Sequence, residues 1–170
     1  MKIFTVNNKK EEKFLRKKTP VFDFSKFSPK EIRDLIKEMK EMMKIGDGVG
    51  LSANQIGLNL RVFVAQIPYS EKTEASKFYV IFNPEIKKNS KEKIEMEEGC
   101  LSIPGVFGLV NRPEKITLIG KDKNNREIKI KAHSFLARVF QHETDHLNGI
   151  LFIDKTKKVY KISQTNEKQL

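Results

Sequence analysis

Gln141-His142-Glu143-Thr144-Asp145-His146 constrains this chain more than any other stretch. Histidines four apart share one face of a helix, so His142 and His146 can bind one metal ion through two imidazole nitrogens. Glu143, beside the first of them, can reach a water on that ion without binding the ion itself. The pattern predicts a helix over Ser134–Asn148, with Ser134 as cap and Gly149 as terminator. The bland alternative is two histidines that merely decorate a helix surface.

A catalytic site of this kind needs a third protein ligand and an open position. One protease pattern would place a histidine where this chain has Phe152, and another takes a downstream glutamate, for which the only candidate is Glu167. Neither pattern is filled. Cys100 is the strong remaining candidate, since a thiolate suits zinc or ferrous iron. Alone it would read as a small buried hydrophobe, and His133 is a weaker candidate near the expected strand–helix junction.

With one cysteine the chain forms no internal disulfide, which favours a reducing compartment. Its opening reaches Asn7, Asn8 and a run of charges before a signal-peptide core develops, and no apolar run approaches the roughly 20 residues that span a bilayer. A cytoplasmic protein without membrane partners is expected. The 170 residues read as a single domain, residues 1–170, with a short basic tail from about 155 that forms a terminal helix or frays. The net charge of +11 is uneven: residues 1–46 carry +6, residues 47–110 carry −1 and residues 111–170 carry +6. Such a surface suits nucleic acid or simple solvation. The nearly neutral middle is where chemistry is sought.

Ser28-Pro29-Lys30-Glu31 is a capping box that starts a helix ending near Lys44, closed by Gly46. Ile32, Leu35, Ile36, Met39, Met42 and Met43 form its apolar face, with the methionines read as core. Strands are expected at Arg61–Ile67, at Phe78–Asn83 (stopped by Pro84), and at Lys93–Glu97, Lys115–Gly120 and Arg126–Lys131, with a hairpin turn at Asp122–Asn125. This order is not the alternation of a doubly wound fold. It predicts an α+β fold with antiparallel β-sheets packed around a central metal-binding helix. Gly48-Val49-Gly50 lacks a spaced third glycine and no Gly-Lys-Ser/Thr follows, so no nucleotide cofactor is expected.

Gly48-Val49-Gly50-Leu51-Ser52-Ala53-Asn54-Gln55, Glu98-Gly99-Cys100-Leu101-Ser102 and Gln141–Gly149 together resemble, in order and spacing, the three motifs of the bacterial peptide deformylases. The similarity runs from about Leu15 to Phe152. Ser52 stands where that family usually has alanine, and its hydroxyl is expected to find a local backbone partner. The resemblance implies a metal-dependent hydrolase that removes the formyl group from N-terminal formylmethionine of nascent polypeptides and releases formate. Cys100, His142 and His146 would then hold one divalent ion, Fe²⁺ in vivo with Zn²⁺, Ni²⁺ or Co²⁺ as alternatives. A water on that ion would be the nucleophile and Glu143 the general acid and base. Gln55 and the Leu101 N–H would stabilise the oxyanion.

Val49, Gly50 and the segment after Ser102 match positions that pair with an extended peptide, a form of strand addition. Phe135 and Val139 lie seven and three residues before His142, on the ligand face, and are candidates for the methionine pocket. Arg138 reads either as a pocket-rim residue or as an ion-pair arginine, and Arg112 as a residue near the peptide groove or a structural salt bridge. Two rivals remain at this level. One is an endopeptidase, revealed by cleavage without formate release. The other is a nucleic-acid-binding module with a structural four-ligand metal, revealed by salt-sensitive binding without hydrolysis. If the substrate emerges from ribosomes, Lys155, Lys157, Lys158 and Lys161 are expected to dock on ribosomal RNA.

Overall fold

The computed structural model describes residues 2–67 and 76–161. Its order is α1 (Lys9–Leu15), α2 (Pro29–Ile45), β1 (Gly50–Ser52), β2 (Val62–Ile67), β3 (Lys77–Asn89), β4 (Lys93–Cys100), β5 (Ile103–Pro113), β6 (Lys115–Lys121), β7 (Glu127–His133), α3 (Ser134–Leu147) and β8 (Val159–Lys161). Two antiparallel sheets result, one ordered β1-β2-β3-β6-β7 and one ordered β4-β5-β8. The α+β architecture is the one expected.

Helix α3 is buried on nearly every side, from Ala137 through Leu147, because it packs on strands of the first sheet and on β5 of the second. Phe140 and Leu147 join Phe63, Ile81 and Leu118 in the core beneath the larger sheet. On that sheet's other side, Met39, Met42 and Met43 of α2 pack with Leu51, Val62, Val64 and Phe82, so the methionines are core. The capping box at Ser28 forms, with Ser28 Oγ accepting from Glu31 N and Glu31 Oε2 accepting from Ser28 N.

Several expected boundaries move, each for a local reason. Strand β3 does not stop at Pro84: a bulge between Phe82 and Glu85 takes the proline, which lacks an N–H, out of the ladder. Asn83 enters positive φ there and its side chain bonds both main-chain groups of Phe22. Ser134 is not a cap. Strand β7 runs to His133, and Ser134 turns it into the helix at φ 51°, its N–H bonding Glu114 O. Gly149 ends the helix at φ 76°, against Arg16 main chain that leaves no space for a Cβ. The part of the basic tail described here is not helical: Val159–Lys161 pairs with Val106–Gly108 of β5. The rest of the tail, and Glu167 within it, lies outside the described residues.

Candidate metal centre

Strand β4 ends at Cys100, and α3 presents His142 and His146 one turn apart on the face turned toward it. Cys100 Sγ lies 3.1 Å from His146 Nε2, which lies 3.2 Å from His142 Nε2. All three ligand atoms fall within 4.8 Å of one another. A thiolate and two imidazoles turned to one point form a donor set that fits a divalent transition ion. Among the described residues, no fourth protein ligand joins them. His133 stays exposed at the end of β7, which removes it as a candidate.

The orientation of His142 has a visible cause. Glu98 sits two residues before Cys100, hence on the same face of β4. Its Oε2 lies 2.9 Å from His142 Nδ1, so Nδ1–H donates to it and the Nε2 lone pair turns toward the cluster. Arg112 of β5 donates to both Glu98 oxygens at 2.6 and 3.0 Å, and Arg138 of α3 donates to Oε1 at 2.8 Å. Arg112 also donates to Asp145, one helical turn beyond His142, at 2.5 Å. Burial opposes the charge on Glu98, but bonds from His142 and Arg112 outweigh it and hold the carboxyl well below the usual range.

Burial also raises the carboxyl of Glu143. It pushes His146 well below the usual imidazole value, aided by the neighbouring His142 and Arg112. In His142 burial acts the same way, but the bonds to Cys100 and Glu98 outweigh it and raise the ring.

The opposite wall comes from β1 and the turn after it. Ser52, Asn54 and Gln55 are all buried. Gln55 Oε1 accepts from Ser52 N at 2.9 Å, which fixes the amide's sense. Its Nε2 therefore points the other way, to Ser102 Oγ at 3.1 Å and Cys100 Sγ at 3.7 Å. Ser52 Oγ lies 2.7 Å from Glu143 Oε2 and 2.9 Å from Glu143 O. The expected local backbone partner of Ser52 is thus a helix 91 residues away. Asn54 Nδ2 donates to His146 O at 2.7 Å, tying that turn of α3 to the same wall.

Between the walls lies a cavity of about 540 Å³. It brings together Val49, Gly50, Gln55, Cys100, Leu101, Phe135, Arg138, Val139, His142 and Glu143. His146 is almost completely buried behind it, with only its ring nitrogen reaching the cluster. Arg112, expected near the peptide groove, does not line the cavity; it is 5% exposed and its guanidinium is taken up by Glu98 and Asp145, so the salt-bridge alternative describes its place. Arg138 divides between both readings, with a side chain at the cavity and a guanidinium bonded to Glu98, Val110 O and Ile94 O. Gly50 is required by space: a Cβ there would overlap Glu143 Oε1.

The roles of Glu98, Asn54 and Asp145 escaped sequence reasoning. The one signal available for Glu98 was its i, i+2 relation to Cys100 on a strand.

Comparison with known proteins adds family and fold. The polypeptide deformylase family profile matches residues 1–161. The peptide deformylase of Halothermothrix orenii is 45% identical over 130 residues, 76% of this chain and 80% of that protein. That of Borreliella burgdorferi is 44% identical over 124 residues, 73% of this chain and 72% of its own. Among solved structures, a probable peptide deformylase from Synechococcus phage S-SSM7 superposes with a TM-score of 0.80 at 38% identity, over 92% of this chain and 99% of that one. The Met-Ala-Ser-bound class I type b peptide deformylase from Acinetobacter baumannii gives 0.81 at 28% identity, over 92% and 98%.

Proposed function

The chain belongs to the polypeptide deformylase family, enzymes that remove the formyl group from N-formylmethionine peptides, and we propose that it does so on nascent polypeptides as a divalent-metal hydrolase that releases formate. The observation that carries this reading is the convergence of Cys100 Sγ, His142 Nε2 and His146 Nε2 beside Glu143 and the Gln55 amide in one cavity. Cys100, His142 and His146 would hold the ion, Fe²⁺ in the cell, with Zn²⁺, Ni²⁺ and Co²⁺ suited to the same donors. Bound there, such an ion supplies Lewis acidity and brings the pKa of water down to about 7.

The chain's own residues do the rest. Glu143 takes a proton from the attacking water and returns it to the leaving amine nitrogen, a role typically worth about 10²–10⁴-fold. Its burial suits that work by raising its affinity for a proton. As charge develops on the formyl oxygen, the Gln55 Nε2–H and the Leu101 main-chain N–H serve as donors, Gln55 being held ready by Ser52 N.

Peptide binding by strand addition at Val49 and Gly50 is supported by topology. Both β1 and β4 are edge strands of their sheets, and both contribute to the cavity. Phe135 and Val139 of α3 would receive the methionine side chain, with the Arg138 stem beside them. The Acinetobacter baumannii relative, solved with Met-Ala-Ser bound, supports an N-terminal methionine peptide as the occupant. Arg112 acts on this pocket through Glu98.

A single catalytic domain at work in the bacterial cytoplasm accords with this substrate, and no helix among the described residues is long and apolar enough to cross a membrane. For ribosome docking, Lys155, Lys157, Lys158 and Lys161 are all exposed, and Lys155 and Lys158 also reach Asp145 and Glu95. Reversing the charges of Lys157 and Lys161 should weaken ribosome binding, and unchanged affinity would remove that part of the proposal.

The test of the activity is formate release from a formyl-Met peptide by anaerobically prepared, iron-loaded protein with its metal content measured. Cys100→Ala should lose the metal. Cleavage of internal amide bonds without formate would select an endopeptidase instead.

A further inference from the structure

Among the described residues, one buried side chain hydrogen-bonds the Glu143 carboxyl group, and it is Ser52. We propose that Ser52 is a positioning residue that holds this carboxyl so that Oε1, and not Oε2, exchanges the reacting proton. The inference rests on Glu143 being the general base.

Ser52 has one hydroxyl hydrogen and two acceptors in reach, Glu143 Oε2 at 2.7 Å and Glu143 O at 2.9 Å. Toward a carboxylate the charge-assisted bond is the stronger, so the hydrogen goes to Oε2. Ser52 is 0% exposed, so bulk water does not compete for this bond in the intact protein. Oε1 accepts no hydrogen bond from any described residue and lies over Gly50, where only a missing side chain leaves it space. The two oxygens are therefore unlike: one is engaged by protein and the other is open to the chemistry.

Ser52 is itself held firmly. It pairs with Phe63 across β1 and β2, and its N–H donates to Gln55 Oε1 at 2.9 Å. One residue thus aims two groups, the Gln55 amide through its main chain and the Glu143 carboxyl through its side chain. Without the hydroxyl, the terminal torsion of a glutamate is broad and roughly two-fold, so the two oxygens become interchangeable and the carboxyl plane wanders. The proton account is simple. An O–H bond of water breaks as Oε1–H forms, and Oε1–H breaks as the N–H of the leaving amine forms. Ser52 keeps its own hydrogen throughout.

The experiment compares Ser52→Ala with the parent and with Glu143→Gln, all carrying iron. Ser52→Ala should lower kcat for a formyl-Met peptide about 3- to 10-fold, with KM and metal per chain unchanged. Its infrared carboxylate band, assigned to Glu143 by its disappearance in Glu143→Gln, should shift. A kcat within about twofold of the parent, an unshifted band, or a loss of metal that accounts for the lost activity would each overturn the inference. Full activity in Glu143→Gln would instead overturn the general-base reading. An inactive Glu143→Gln beside an unaffected Ser52→Ala would overturn the positioning role alone.

Discussion

The two walls of the cavity are built from different physics. On the side of α3, β4 and β5, orientation comes from charge: Glu98, Arg112, Arg138 and Asp145 form one buried network ending on His142 Nδ1. On the side of β1 and its following turn, orientation comes from neutral donors: Ser52 N, Ser52 Oγ, Gln55 Nε2 and Asn54 Nδ2. The charged wall fixes the tautomer of His142, a group that keeps its place in the proposed reaction. The neutral wall faces Glu143 and, in the proposed reaction, the place where substrate charge would come and go. Full charges there would shift with every step, whereas preorganised dipoles stabilise developing charge without moving. Rigidity belongs behind the ligands, and neutral donors belong in front of the substrate.

That contrast breaks most readily at Arg112. Arg112→Ala removes the guanidinium that bridges Glu98 and Asp145, leaving Glu98 to Arg138 and His142, and removing one member of a buried ion pair typically costs about 3–5 kcal/mol. Denaturant unfolding should show a loss of that order, and a loss below about 1 kcal/mol would mean the network does little. On the other wall, Gln55→Ala should raise the barrier by about 2.7–4 kcal/mol, seen as a fall in kcat, with a stability loss of about 1–3 kcal/mol from the Ser52 N–H left without its partner. Stability losses that matched at both sites would erase the distinction.

Glu98→Gln sharpens it further. The amide removes the charge that holds His142 Nδ1–H, and metal affinity should fall about 10- to 100-fold in a chelator competition. A smaller effect is expected with acid. The native Glu98 carboxyl ionises at lower pH than an unfolded glutamate, whose usual value is about 4.3. The unfolded chain therefore binds the extra proton first. The contribution of Glu98 is complete above about pH 4.3 and is lost as pH falls toward the native value. Unfolding measured from pH 6 downward should show this loss in the parent and a flatter acid limb in Glu98→Gln.

The same division explains what could be read in the sequence. His142, Glu143 and His146 are legible because one helix carries them at a fixed period, and Cys100 because a thiolate is the strongest candidate beside an incomplete two-histidine site, ahead of His133. The charged wall was not, since Arg112 and Glu98 meet only when β4 and β5 pair. Strand β5 itself was hidden by Pro104, Gly105 and Pro113, which read as breakers but fall at its ends. Helix α1 escaped because seven mostly charged residues show no apolar stripe. It is held by its Asn8 cap, by buried Leu15, and by Glu11, which accepts from Thr5 N and Lys2. Pro84 reads as the end of a strand because the bulge that accommodates it depends on Arg61 and Phe22, both far away in sequence.

The most direct test of the central claim is formate release by Glu143→Gln, assayed with its metal content against the parent. The account predicts that the variant retains one equivalent of metal, because Glu143 is not a ligand, and loses activity by about 10²-fold or more. A variant that keeps its metal and releases formate at the parent rate would contradict it.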